Sequence, residues 1–413
     1  MKRKVLIIVE NLPVPFDTRV WKEALSLREN GYEVTVLCPK DKKYRKGYEY
    51  LNGIHIYRHP ATREGDSALS YIAEFSVALA WEMLFSIWIY LRRGFHVIQG
   101  CNPPDDIFLV ALPFRIFGIK YIFDHHDANP ELYYSKYERM GFLYRAQLLV
   151  EKLCFRSSDV VMTTNRSYRQ LAIDRGGVAP EDIFVVRNGP DLEWFNPVSA
   201  NPAWKRGKPF MVGYVGNMSI QEGLDILLDV AKHIRSIGRN DVQFVCVGGG
   251  TGLAQLRDIA TKENLNGLVD FTGRVSDSDL LEILSTADVC VNPDKPCEMN
   301  DISTMIKIME YMALEKPIVQ FDLIEGRYSA GEASLYADAQ NSNIVADFAD
   351  KILWLLDHPE ERRKMGKFGR TRVEEQLAWK FSVENLVAAY ERAFVKKGRL
   401  LPQDAARRLP ENQ

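Results

Sequence analysis

The sequence predicts an α/β protein of two Rossmann-like domains facing a cleft. Three observations predict it. The chain has 413 residues, and single cores stop growing near ~250–300 residues. Short apolar, β-branched runs alternate with segments of helical period along the chain, the pattern of parallel strands covered by helices. The alternation is interrupted at 196–209, where Pro197, Pro202 and Pro209 fall in a stretch without apolar periodicity.

The division that follows is an N-terminal domain over 1–195, a linker over 196–209 and a second domain over 210–378. Val5–Val9 reads as a buried parallel strand, short and continuous. Val20–Asn30 repeats apolar residues at helical spacing, and Gly31 stops it. Strands are then expected at Glu33–Cys38, Val97–Gln99, Tyr121–Asp124, Val160–Thr163 and Ile183–Arg187, before the turn Asn188-Gly189-Pro190. In the second half Met211–Val215, Phe244–Val247, Val289–Asn292 and Ile318–Phe321 read as strands, and Leu224–Ile237 as a helix. The polar, basic tail over 396–413, with Pro402 and Pro410, is expected to be loose.

Composition narrows the class. With 46% hydrophobic and 26% charged residues the chain is a folded globular protein. A net charge of -2 gives no basic field for a nucleic-acid partner. The six cysteines contain no CxxC pair and read as reduced thiols of a cytoplasmic protein. The apolar run Val5–Val9 is too short for a signal peptide, and Glu10 ends it. Leu69–Leu91 has spanning length, but Glu74 and Glu82 oppose insertion into lipid. Trp81, Phe85, Trp88 and the pair Arg92-Arg93 suit a helix lying on a membrane surface instead.

Ligands of doubly wound sheets bind beyond the carboxyl ends of the strands, and several of the motifs lie there. Gly216-Asn217 follows one strand, and Gly216 lets backbone approach a ligand closely. Gly248-Gly249-Gly250 follows another without a G-x-G-x-x-G fingerprint, so no nicotinamide cofactor is expected. A strand ending in Gly273-Arg274-Val275 can present backbone groups to a flat base edge. In Ser303-Thr304-Met305-Ile306-Lys307-Ile308-Met309-Glu310, Lys307 and Glu310 share one helix face. A helix N-terminus near Ser303 would bind phosphate, Lys307 would neutralise a diphosphate, and Glu310 would accept from ribose hydroxyls. The plain alternative is a surface ion pair. In Asp124-His125-His126-Asp127 the ligand count falls short of a zinc site, and no metal is expected. A histidine there can donate to sugar hydroxyls or move a proton, or can be a hydrogen-bonded strand end.

In this order the motifs resemble glycosyltransferase family four, the retaining GT-B enzymes. Phe16-Asp17-Thr18-Arg19-Val20 with Glu23-Ala24-Leu25, His126-Asp127, Asn188-Gly189, Val247-Gly248-Gly249-Gly250 and Phe271-Thr272-Gly273-Arg274-Val275 carry the resemblance. So do Ala287-Asp288-Val289, Lys307 to Ala313 and Lys316-Pro317-Ile318-Val319. Trp379 and Phe381 to Tyr390 resemble the family's helix that crosses back over the first domain, here 379–395.

The resemblance implies hexosyl or N-acetylhexosaminyl transfer, without cofactor, from a nucleotide diphosphate sugar. UDP is favoured over GDP or dTDP, and the acceptor is a polysaccharide or a lipid-linked oligosaccharide of the cell envelope. His126 and Lys307 are then catalytic. Gly216, Asn217, Gly249, Arg274, Val275, Ser303, Thr304, Met305 and Glu310 meet the donor, and Arg19 and Asp127 lie on the acceptor side. The place expected is the cytoplasm, at the inner face of the membrane.

The chain departs from the family's G-R-x-x-x-x-K-G loop, with Asn217 and Glu222 at the basic positions, and Ile302 replaces the first acid of the E-x7-E pair. It is similar to the subgroup with an S-K-x-x-E-Y donor helix, with Thr304-Met305-Ile306 inserted. Glu222 would repel a diphosphate, so its side chain is expected to point away. A nucleotide-sugar epimerase and a non-catalytic scaffold are the alternative functions.

Overall fold

The computed structural model describes residues 2–61, 68–219 and 222–396, so the tail expected to be loose lies, beyond 396, outside the described residues. The chain forms two compact units, Met1–Arg187 with Ser382–Gln413, and Asn188–Phe381.

The first unit runs β1 (Lys4–Val9), α1 (Thr18–Glu29), β2 (Glu33–Pro39), β3 (Tyr48–Leu51), β4 (Ile54–His59), α2 (Ala68–Arg93), β5 (Val97–Cys101) and α3 (Phe108–Phe114). It continues through β6 (Lys120–His125), α4 (Asn129–Tyr137), α5 (Phe142–Ser157), β7 (Val160–Thr163), α6 (Arg166–Asp174) and β8 (Ile183–Val185). The sheet order is β3-β4-β2-β1-β5-β6-β7-β8. Every pairing is parallel except β3 with β4. The inner strands β1, β5 and β7 are buried along their length, save Lys4 at the start of β1, as helices on both faces require.

The β3–β4 hairpin is an element the periodicity reading passed over. Its turn is Asn52-Gly53, both with positive φ (48° and 80°), the type I′ geometry that Asn-Gly favours. The signal was therefore present in two residues.

The second unit holds β9 (Phe210–Val215), α7 (Leu224–Ser236), β10 (Val242–Val247), α8 (Leu253–Lys262), β11 (Val269–Gly273), α9 (Asp277–Thr286) and β12 (Val289–Asn292). It continues with α10 (Glu298–Ile302), α11 (Ile306–Ala313), β13 (Ile318–Phe321), α12 (Ile324–Ala330), β14 (Ser334–Ala337), α13 (Ile344–Asp357) and α14 (Pro359–Arg372). The sheet order is β11-β10-β9-β12-β13-β14, parallel throughout. The order reverses at β9, the place where doubly wound sheets open a ligand crevice.

Residues 196–209, expected as a linker, pack onto the second unit. Val198 and Asn201 donate their N–H groups to Ser285 and Thr286 of α9, and Lys205 pairs with Asp288 at 2.7 Å. The chain returns to the first unit in α15 (Trp379–Val395). There Ser382 and Asn385 donate to the carbonyls of Arg187 and Val185, and Tyr390, fully buried, donates to Gln99 of β5.

No helix among the described residues is long and apolar enough to cross a membrane. Within α2, Glu82 is buried in the protein, while Leu84, Ile87, Trp88 and Leu91 are exposed.

Candidate functional site

In the second unit the predicted donor residues gather at the carboxyl ends of the strands. Gly216 and Asn217 follow β9, Gly249 follows β10, and Arg274-Val275 follows β11. Two backbone segments meet closely here: a Cβ on Gly248, whose φ is +138°, would lie 1.9 Å from Gly216 O. Only glycine fits that position. Gly216 adjoins Lys307, whose Cε would be 3.4 Å from a Cβ there, and Arg274 lies beside Gly249 at a similar distance.

The expected helix N-terminus near Ser303 lies further along the chain. Ser303 closes α10 and turns its hydroxyl back to Met299 O at 2.6 Å, and Thr304 donates to Glu325 at 3.4 Å. The helix bearing Lys307 begins at Ile306, after Met305, and carries Glu310 one turn on. Tyr311 locks it against the sheet by accepting from Val215 N (2.9 Å) and donating to Val291 O (3.3 Å).

Lys307 is 8% exposed. Its ammonium pairs with Glu222 and, at 3.2 Å, with Asp294, and lies 4.9 Å from the centre of the Tyr214 ring. Tyr214 donates to Glu222 at 3.0 Å. Burial alone would lower the Lys307 pKa, but Asp294 and Glu222 outweigh it and hold the ammonium charged. The two acids differ. Burial would raise Glu222, yet the Lys307 contact draws it below its ordinary value. Burial raises Asp294 to about 7, only partly opposed by Lys307. Glu222 thus holds the negative charge and Asp294 is readily protonated.

This corrects the expectation that Glu222 points away: it turns onto Lys307, because a buried ammonium needs a hydrogen-bonded counter-charge. Asp294 and Tyr214 were missed by sequence reasoning. A carboxylate two residues beyond the strand Val289–Asn292 was the available signal.

In the first unit the two histidines separate. His125 is fully buried against Phe123, Phe155 and Tyr168, and burial lowers its pKa to about 3, so it stays neutral. His126 is partly exposed and tops a buried polar cluster. Arg19, 5% exposed, reaches Asp124 at 2.8 Å, Glu23 at 3.1 Å and Val186 O at 2.7 Å. Gln99 donates to Glu23 (2.7 Å) and to Asp124 (2.9 Å). His126 Nε2 is shared: Arg19 Nε lies 2.8 Å away and Asp124 Oδ2 2.7 Å away. With a proton on Nε2 it donates to Asp124; without one it accepts from Arg19. Burial alone would lower the His126 pKa, but Asp124 outweighs it and the group ends raised. Burial, with Asp124, raises Glu23 to about 8, so Glu23 keeps its proton at neutral pH while Asp124 carries the charge.

Glu23, Cys101, Asp124 and His126 lie close enough together to resemble a metal site, but the Arg19 guanidinium already supplies the cation. Arg19 therefore positions Asp124 and His126. Asp127 is partly exposed, and its backbone N and O bond the Asn102 side chain.

These elements have known counterparts. Residues 17–189 match the glycosyl transferase 4-like domain, and residues 209–358 match glycosyl transferases group 1. The chain is a glycosyltransferase. Alpha-maltose-1-phosphate synthase of Mycobacterium tuberculosis is 25% identical over 300 residues, 67% of this chain and 74% of that protein. Among solved structures, sucrose-phosphate synthase from Thermosynechococcus elongatus superposes with a TM-score of 0.77 at 20% identity, over 95% of this chain and 100% of that one. Anabaena HepE in complex with UDP does so at 0.70 and 15% identity, over 95% and 100%. The glycosyltransferase has the GT-B fold, two Rossmann-like domains.

Because Arg19 is the counter-charge of buried Asp124, Arg19→Ala should destabilise the first unit by ~3–5 kcal/mol, the cost of stranding one partner of a buried ion pair. Arg19→Lys should rescue little of it, since a compact ammonium cannot span the four partners that the guanidinium fork reaches. Urea unfolding followed by circular dichroism measures this, and an unchanged midpoint for Arg19→Ala would disprove the role.

Proposed function

We propose that this glycosyltransferase moves a hexosyl or N-acetylhexosaminyl unit from a nucleotide diphosphate sugar to a polysaccharide or lipid-linked oligosaccharide, with retention at the anomeric carbon. The observation that carries the reading is the buried Lys307 ammonium beside Gly216, at the carboxyl ends of β9 and β12. A cation held there stabilises the charge that develops on a leaving diphosphate. The donor helix belongs, on this reading, to the lysine-containing S/T-K-x-x-E-Y-like subgroup. UDP is favoured, supported by the Anabaena HepE structures with UDP and UDP-glucose. Gly249, Arg274 and Val275 are assigned to the base, Glu310 to the ribose, Asn217 and residues 303–305 to the diphosphate. His126 is assigned to the transferred sugar.

One observation favours a second reading, a chain that kept the fold and lost transfer: Lys307 is already paired with Glu222. A thermal-shift screen of UDP, GDP and dTDP sugars, followed by transfer assays with anomeric products read by NMR, separates the two. Binding without transfer to any acceptor supports the scaffold.

Lys307→Ala should weaken donor binding and slow transfer by ~1.5–3 kcal/mol, roughly tenfold to a hundredfold, the worth of a charge-assisted bond to phosphate. Glu310→Gln should weaken nucleotide binding, and His126→Ala should lower turnover more than nucleotide affinity. Unchanged affinity and turnover in folded Lys307→Ala would refute the phosphate assignment.

A diphosphate arriving beside Asp294 raises that group's pKa further, so binding takes up a proton. Affinity for a UDP-sugar, whose diphosphate ester does not titrate in this range, should be flat below pH about 7 and fall above it. Calorimetry across this range tests the sign, and Asp294→Asn should abolish the dependence.

We also propose that α2 rests on an anionic bilayer at the inner face of the membrane. Its exposed Leu84, Ile87, Trp88 and Leu91 adjoin Arg92 and Arg93, the pairing of apolar and basic groups that suits an interface. Between α2 and the β3–β4 hairpin lies a cavity of about 750 Å³, lined partly by Tyr48, Tyr57, Phe85 and Trp88. An amphiphilic acceptor fits that lining. The protein should float with phosphatidylglycerol vesicles and not with phosphatidylcholine vesicles, and Trp88→Ser with Leu91→Ser should abolish flotation. Equal flotation of the double variant sinks the assignment.

A further inference from the structure

Under α2, at the carboxyl ends of β1 and β4, three side chains outside the proposed transfer site converge. Glu10 follows β1, His59 ends β4, and Glu82 stands in the middle of α2. One ligand-type atom of each lies within 4.8 Å of the other two, and His59 Nε2 is 3.3 Å from Glu10 Oε2. The three residues are 9%, 0% and 1% exposed. Among the described residues, Glu10 Oε2, His59 Nε2 and Glu82 Oε1 make no hydrogen bond of good geometry, the His59–Glu10 approach included. Buried polar atoms are nearly always satisfied, so three such atoms in one place need an explanation.

The imidazole is oriented as a metal ligand's would be. Its Nδ1 lies 2.9 Å from Pro60 O, which can only accept, so in the neutral ring Nδ1 carries the proton and Nε2 presents its lone pair. Metal-bound histidines characteristically hold their second nitrogen this way. The contrast with the His126 cluster is direct. There Arg19 supplies the positive charge; here, among the described residues, no lysine or arginine pairs with Glu10 or Glu82. Burial, reinforced by Glu10 and Asp106, pushes the Glu82 carboxyl well above the ordinary range.

We propose that Glu10, His59 and Glu82 form a binding site for one divalent transition-metal ion, zinc in class, that fastens α2 to the ends of β1 and β4. Two carboxylates balance the charge of the ion. The imidazole selects zinc over magnesium and calcium, which prefer oxygen alone, and over manganese more weakly. The 3.3 Å separation of His59 and Glu10 is close to the ~3.4 Å edge of a tetrahedron whose ligands lie ~2.1 Å from the ion. Three protein ligands leave one tetrahedral position to water, and the ion ties the three elements together.

The test uses the full chain. After chelation and dialysis, zinc, manganese and magnesium are titrated separately by calorimetry, with bound metal counted by mass spectrometry. Zinc should bind at one equivalent per chain and raise the melting temperature, manganese more weakly, and magnesium not at all. Cobalt in place of zinc should add visible d–d absorption. Glu82→Gln keeps shape and removes a ligand, so it should lose the tight equivalent and the cobalt spectrum, and its melting temperature should ignore the chelator. His59→Gln should behave alike, and Glu82→Gln alone decides the matter if that variant does not fold. The proposal is overturned if wild type binds no tight equivalent, or if Glu82→Gln binds zinc as wild type does.

Discussion

A charge buried at the carboxyl end of a parallel strand must find its counter-charge within a few ångströms, and both units of this chain are organised around that need. Helices cover both faces of each sheet, so polar chemistry is driven to the strand ends. In the first unit Arg19 reaches from the first turn of α1 to Asp124 at the end of β6. Gln99 and Tyr390 complete the network from β5 and α15. In the second unit Lys307 plays the corresponding part, with Glu222 and Asp294 as its partners. Leaving any of these charges alone would cost more than most single contacts contribute.

The same requirement shapes how each site can act. Arg19 is held by so many partners that it orients rather than reaches out, and the group left at the surface of its cluster is His126, whose one nitrogen is contested by a cation and a carboxylate. At Lys307 any incoming anion would have to compete with Glu222, while Asp294 can change charge near neutral pH. The second site is thus a cation with an internal anion, quite unlike a loop that offers two free basic side chains. The chain's departure at Glu222 acquires a physical meaning here: the acid keeps the buried ammonium charged and in place.

Close backbone packing is the other device. Gly216 and Gly248 let two strand ends approach to a distance no side chain allows, so the surface beside Lys307 is built of peptide groups. Tyr311 then fixes α11 to β9 and β12 by one hydroxyl that both accepts and donates. The lysine's position follows from that lock, one helical turn away.

What the sequence by itself determined was local and periodic. Runs such as Val5–Val9 and Val289–Asn292 are strands, Gly31 ends α1, and Lys307 sits on a helix, because each depends on neighbours a few residues apart. The Asn52-Gly53 hairpin was equally legible and turns on two residues alone. Tertiary structure decided the pairings. Glu222 and Asp294 lie 85 and 13 residues from Lys307, Arg19 and Asp124 lie 105 apart, and Tyr390 and Gln99 lie 291 apart. Which of two adjacent histidines enters the core, and which buried acid keeps its proton, depends on the low-dielectric surroundings that only the assembled fold creates. No spacing along the chain encodes that, because the energy of a buried charge is set by what surrounds it in space.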